Sequence, residues 1–318
     1  MIPRLRLTHL PTPVEVLSRL SANLGGPRLL VKRDDLTGPA MGGNKVRKLE
    51  FLLAEAQAVG ARTLVTVGAA QSNHCRQVAA LANRLGLACT LVLSGEPPAQ
   101  VNGNLLLDQL FGAEIVWTSR PEREAVLKQT FDEAWAAGRR PYLIPLGGST
   151  GLGALGYEAA MREWLEQDTQ ADWIVLASSS GGTQAGLVLG AWRANWQGRI
   201  LGISIDEPKE ELRQTVARIA GEAAGLIGED HYFAPSEIGV NADYLGAGYG
   251  VVGEAELEAI RLFARTEGLL LDPVYTGRAA AGLIDLIRKD FFARDETVLF
   301  WHTGGTPALF ASQYAARF

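Results

Sequence analysis

Cysteine is almost absent from this chain of 318 residues, which holds only Cys75 and Cys89. Two thiols without metal-like spacing argue against a disulfide framework or a zinc site and fit a reducing compartment. No apolar run approaches the ~18 residues of a membrane helix, and no signal-like segment follows Met1. The expectation is a cytoplasmic protein without a membrane partner. Basic blocks are missing too. With 30 Lys and Arg against 35 Asp and Glu the formal net charge is −5, which argues against nucleic acid or an anionic lipid surface.

Glycine, by contrast, is plentiful: 36 residues, about 11% where about 7% is usual. The glycines cluster after apolar runs, which reads as turns that grip a ligand. The length suggests two domains. Thr63–Val67 reads as a strand, Gly68–His74 as a polar turn, and a helix carrying Val78, Ala79 and Ala82 follows. The unit repeats through strand Thr90–Leu93, helix Asn104–Phe111 and strand Glu114–Trp117, the alternation of a small parallel α/β sheet. A helix near Arg123–Ala137 and a strand at Pro141–Pro145 lead to the glycine run Gly147–Gly153, read as the return to a larger domain. Strands at Leu29–Arg33, Trp173–Ala177, Ile200–Ile205 and Val298–Trp301 belong there. So do helices near Val14–Leu24, Glu210–Ala223 and Glu254–Glu267, and a last helix opened by Pro307.

Three stretches carry chemistry. In Asn44-Lys45-Val46-Arg47-Lys48-Leu49 the apolar spacing predicts a helix capped by Asn44, so three cations stand in its first turn. The macrodipole is already positive there, and each cation costs roughly 0.3–1 kcal/mol unless an anion faces it. Gly42 and Gly43 leave N–H groups bare for that anion, and Lys45 and Lys48 share a helix face. Ser178–Gly186 is a strand-to-helix turn suited to phosphate. It lacks the lysine of a P-loop and the G-x-G-x-x-G of a dinucleotide fold, although Asp206 ends the next strand as a ribose-binding acid would. Gln71-Ser72-Asn73-His74 opens a helix with side-chain donors, a seat for a substrate carboxylate. His74 and His302 receive no catalytic role. An amine nucleophile beside a phosphate cup, with Tyr249 and Tyr275 on separate loops, points to pyridoxal phosphate. A dinucleotide oxidoreductase is the competing class.

These stretches, together with Pro11–Pro13, Val31–Asp35, Gly248–Gly250, Leu271–Gly277 and His302–Phe310, resemble the fold-type II pyridoxal-phosphate enzymes, the tryptophan synthase β family. Within it the chain is similar to the 1-aminocyclopropane-1-carboxylate deaminase and D-cysteine desulfhydrase group. The resemblance implies an α/β fold of two open, twisted, mostly parallel sheets flanked by helices. Residues 1–47 and 148–318 would form the large cofactor-binding domain and 48–147 the small one, in a homodimer. It implies that Lys45 holds pyridoxal phosphate as a Schiff base, and that Lys48, Gly181, Gly182 and Thr183 hold the phosphate. Ser72 and Asn73 would contact the substrate carboxylate and the cofactor's ring oxygen, with Gln71 and His74 beside them. Tyr249 and Tyr275, 26 positions apart, would flank a small amino-acid substrate and tune proton transfer.

Position 276 divides the group. Deaminases carry a glutamate there, close to the ring nitrogen, which favours the protonated ring that cyclopropane opening needs. Here it is Thr276, with Thr303 expected nearby. The resemblance therefore implies β-elimination of D-cysteine to pyruvate, ammonia and hydrogen sulfide. L-Cysteate sulfo-lyase, the cyclopropane deaminase and a catalytically silent cofactor carrier are the alternatives.

Overall fold

Along the strand Thr297–His302, Val298 and Phe300 turn to one side and meet Phe263, while Leu299 and Trp301 turn to the other and meet Tyr157 and Trp164. Both sets are buried. A strand apolar on both faces belongs to the middle of a sheet covered on two sides, the usual state of parallel sheets. The computed structural model describes residues 2–318.

In chain order the elements begin with β1 (Val14–Val16), α1 (Ser18–Leu24), β2 (Arg28–Arg33) and α2 (Lys45–Ala58). Next come β3 (Thr63–Ala69), α3 (Asn73–Arg84), β4 (Ala88–Ser94), α4 (Gly103–Leu110), β5 (Glu114–Thr118), α5 (Arg123–Ala136) and β6 (Pro141–Ile144). The chain continues through α6 (Gly151–Leu165), β7 (Trp173–Ser178), α7 (Gly182–Arg193), β8 (Arg199–Ser204), α8 (Lys209–Leu226) and β9 (Gly239–Asn241). It ends with α9 (Glu254–Glu267), α10 (Thr276–Arg288), β10 (Thr297–His302) and α11 (Ser312–Ala315).

Two sheets result, one of six strands in the order β1-β2-β10-β7-β8-β9 and one of four in the order β5-β4-β3-β6. Every pairing is parallel except β1 with β2. In open parallel sheets ligands bind beyond the carboxyl ends of the strands, and here those ends of both sheets face one space. Among the described residues no helix is long and apolar enough to cross a membrane.

The structure corrects several readings. Val14–Leu24 is not one helix: Val14–Val16 pairs antiparallel with β2, and the helix starts at Ser18. β-Branched residues flanking Glu15 suit that edge strand better than a helix. Pro307 opens a short 3₁₀ turn, Thr306–Phe310, instead of an α-helix. β9, α6 and α10 are elements the patterning did not reveal. Glycine hides α6, but its glycines serve close packing: a Cβ on Gly156 would lie 2.3 Å from the Arg47 carbonyl oxygen of α2. On α7, a Cβ on Gly186 would lie 2.1 Å from the Ala154 carbonyl oxygen of α6. These are not ligand turns; they are places where helix backbones nearly touch.

Candidate active site

The two sheets converge on a cavity of about 620 Å³. Lys45 and Lys48 reach it from α2, one helical turn apart. Lys45 Nζ donates to Asn44 Oδ1 at 3.0 Å, and Lys48 Nζ donates to Ser149 Oγ at 3.0 Å and Gly147 O at 3.2 Å. Neither ammonium has a carboxylate partner within salt-bridge distance among the described residues. Burial pushes Lys45 down to about 8 against the pull of Asp272, and the Arg76 charge adds to the fall. Burial and the Lys45 charge push Lys48 down as well. Two ammonium groups without a carboxylate, Lys48 buried and Lys45 half-buried in the cavity wall, call for an oxyanion.

Asn44 is not the cap that its residue type promises. It has helical dihedrals and no capping bond; its Nδ2 donates instead to Thr183 Oγ1 at 2.9 Å, linking Lys45 to the turn before α7. That turn is a cup. Ser149 Oγ lies 2.7 Å from Ser180 Oγ and accepts from Gly182 N at 3.3 Å. Gly181 takes φ +78°, and a Cβ on Gly182 would come within 3.0 Å of Lys48 Nζ. Gly181 and Thr183 line the cavity, and Gly182 stands just behind them.

The third cation, Arg47, points the other way. Its guanidinium forks onto Asp34 at 2.9 and 2.8 Å and onto Glu163 at 2.8 and 3.0 Å, wholly buried. Lys32 Nζ joins Glu163 at 2.7 Å, while Tyr157 and Trp301 donate to Asp34 at 2.6 and 2.8 Å. Burial would raise the Asp34 carboxyl, but Arg47 holds it down at about 2. The anion expected in front of this cation is therefore part of the protein.

On the opposite wall Ser72 caps α3, accepting from Cys75 N at 3.2 Å, so its O–H proton is left for the cavity. Asn73 and His74 line the same wall. The Thr66 hydroxyl donates to Ile144 O at 2.7 Å, so its oxygen accepts from His74 Nε2–H at 2.9 Å; burial and the two lysines push the His74 imidazole down. A neutral, pinned ring is the result. His302 is likewise fixed between Leu270 O and Gly304 N, both at 3.2 Å. Across the space the Tyr249 and Tyr275 hydroxyls lie 2.5 Å apart, and burial pushes both up. Thr303 completes the floor.

Besides Gly182, two expected residues do not reach the cavity. Gln71 spends its amide on Asn102 O at 3.1 Å and Asn104 N at 2.8 Å, holding the start of α4. Thr276 is fully buried in α10, and its hydroxyl donates to Asp272 Oδ1 at 2.8 Å and accepts from Asp272 N at 2.7 Å. Of the two threonines expected near the ring nitrogen, only Thr303 lines the cavity. Other lining residues escaped the sequence reading: Arg120 and Arg123, with the Arg120 guanidinium 6.0 Å from the Tyr249 ring centroid, while Ser149, also missed, stands behind the lining and reaches Ser180 and Lys48. Gly147–Gly153 reads as the return to the larger domain, and Arg123 only as the start of a helix.

Residues 5–304 match the family described as pyridoxal-phosphate dependent enzyme. The chain belongs to this family. The fold is fold-type II, and the cofactor is pyridoxal phosphate; the dinucleotide alternative falls with that match. D-Cysteine desulfhydrase of Salmonella typhi is 44% identical over 318 residues, covering 97% of this chain and 96% of its own. A solved ACC deaminase homologue superposes with a TM-score of 0.91 at 38% identity, over 99% of this chain and 95% of that one. A solved threonine deaminase, at 21% identity, TM-score 0.66 and 92% of each chain, shares the fold. The pyridoxal-phosphate family fits the residues present. Its phosphate would supply the oxyanion that Lys48 lacks, over a cup where a Cβ on Gly182 would lie 3.0 Å from Lys48 Nζ, and Lys45 would be the cavity-lining amine.

Proposed function

We propose that the enzyme catalyses β-elimination of D-cysteine, which with one water becomes pyruvate, ammonia and hydrogen sulfide. The observation that carries this reading is Lys45, a half-buried, cavity-lining amine brought down to about 8 with the tyrosine pair across the cavity. The 44% identity to D-cysteine desulfhydrase over nearly the whole chain supports the substrate.

When bound, pyridoxal phosphate supplies an electron sink conjugated to the substrate amine, which accepts the pair left when the Cα–H bond breaks. The rest belongs to the chain. Lys48, the Ser149–Ser180 hydroxyl pair, Gly181 and the N–H groups opening α7 would hold the phosphate, and Thr303 would stand at the ring nitrogen. Ser72 O–H and Asn73 would seat the substrate carboxylate and the ring oxygen. Lys45 Nζ, half neutral near pH 8, would take the Cα proton. The Tyr249–Tyr275 pair, with hydroxyls kept protonated by burial, would deliver a proton to the departing sulfur. The deaminase reading stands second on the 44% identity to D-cysteine desulfhydrase and not on position 276, whose side chain is bonded to Asp272 outside the cavity.

A division at residues 48–147, a homodimer and a cytoplasmic location belong to the same proposal. Light scattering checks the dimer, with twice the 34.1 kDa chain mass expected. For the chemistry, Lys45→Ala is expected to lose both the visible band of the bound cofactor and sulfide release from D-cysteine. A Lys45→Ala protein that still turns over D-cysteine would overturn the assignment.

A further inference from the structure

Arg76 lies on α3 outside the cavity, and the chemistry above does not use it. Its guanidinium is wholly buried. Nη2 donates to Gly42 O at 2.8 Å, and Nη1 donates to Asn104 Oδ1 at 2.8 Å and to Asn73 Oδ1 at 3.2 Å. Asn104 Nδ2 in turn donates to Gln71 O and to Asn73 Oδ1, both at 2.9 Å.

The chemistry of these groups decides which way each amide faces. A guanidinium only donates and a peptide carbonyl only accepts. Asn104, held between Arg76 and the Gln71 carbonyl, must therefore turn its oxygen to the arginine and its nitrogen to the carbonyl. Asn73 then meets two donors, Arg76 Nη1 and Asn104 Nδ2, and must offer both its oxygen. A flipped Asn73 would set N–H against N–H twice. What is left for the cavity is the Asn73 NH₂, a donor, with no hydrogen bond to Nδ2 among the described residues.

The same guanidinium reaches the other wall. Gly42, three residues before Lys45, takes φ +63°, where a Cβ would fall 2.0 Å from Asp35 O. Its carbonyl accepts from Gln77 Nε2 as well as from Arg76. Burial pushes the Arg76 guanidinium down to about 10, and Asp108 on α4, then Asp272, pull against that fall.

We infer that Arg76 is a positioning residue: it orients Asn73 as a hydrogen-bond donor into the cavity and ties that donor to the turn that carries Lys45. This rests on the reading that Asn73 faces the cofactor's anionic ring oxygen. Removing a donor from an anionic oxygen raises its pKa, so the pH titration of the visible band reports on the orientation.

The test uses the holoenzyme and its variants Asn73→Ala, Arg76→Met, Arg76→Lys and Asn104→Ala, read by that titration, by kcat and KM for D-cysteine, and by melting temperature. Asn73→Ala is expected to move the midpoint upward by about one pH unit, the loss of one charge-assisted hydrogen bond. Arg76→Met should move it the same way, with kcat falling about tenfold and more than KM rises. Arg76→Lys, which keeps the charge but cannot span three acceptors, should resemble Arg76→Met. If Asn73→Ala shifts the midpoint while Arg76→Met only lowers the melting temperature, Arg76 is structural and the inference fails alone. If Asn73→Ala leaves the midpoint in place, the reading of Asn73 fails and takes the inference with it. Should Arg76→Met not fold, Asn104→Ala decides: an upward shift supports the inference, and an unmoved midpoint in a folded protein overturns it.

Discussion

A lysine amine captures a carbonyl only when neutral, and burial brings Lys45 down to about 8 from an ordinary 10.5. The neutral fraction of the amine falls tenfold per pH unit below that value. Cofactor uptake by the apo-protein should therefore rise with pH up to about 8 and then level, followed by the growth of visible absorbance. A rate that keeps climbing toward pH 10 would contradict a depressed Lys45. The tyrosines make a second residue-scale case. Tyr275→Phe should keep the cofactor's visible band and lower kcat by about 10²–10⁴, the usual worth of one proton-transfer group; a variant with unchanged kcat would remove the pair from proton transfer. Lys45, Lys48 and Tyr249 were legible because unusual residues at fixed spacings resemble a known family. Arg47 was not separable from its neighbours, because a sequence does not say from which side of a helix a cation's partner comes. Asp34 stands 13 positions away in the chain and Glu163 stands 116.

At the scale of elements, the strands were legible almost throughout and two long helices were not. α6 and α10 carry glycines inside them, and glycine in a helical pattern reads as punctuation until the neighbouring backbone is seen. Gly156→Ala checks this: its methyl group would meet the Arg47 carbonyl of α2, next to the Lys48 backbone nitrogen. A loss of about 1–3 kcal/mol in urea unfolding is expected, as for other overpacked sites; an unchanged midpoint would show that the crossing has slack. α10 also changes what position 276 can do. Because Thr276 is buried and bonded to Asp272, Thr276→Glu would bring a second carboxylate against the first. It should lower the melting temperature and solubility without conferring cyclopropane-opening activity. Release of 2-oxobutyrate by a folded Thr276→Glu protein would restore the discriminating role that the family pattern suggests.

Across the whole molecule, the carboxyl ends of strands from both sheets are brought to one cavity, and α2 runs between them with Lys45 at its start. The βα alternation made the two-sheet α/β class legible. The convergence was not, since it depends on β10 inserting between β2 and β7, strands far apart in the chain. Arg120 and Arg123 of the four-stranded side line the same cavity as Asp206 of the six-stranded side, a juxtaposition no local pattern encodes. The reaction proposed for this cavity is a β-elimination with D-cysteine as substrate. Its most direct test is the initial rate of pyruvate release by the holoenzyme from D-cysteine, L-cysteine, L-cysteate and D-serine, with 2-oxobutyrate followed for 1-aminocyclopropane-1-carboxylate. D-Cysteine is expected fastest, with one sulfide released per pyruvate. A different substrate in front, or pyruvate without matching sulfide, would contradict the claim.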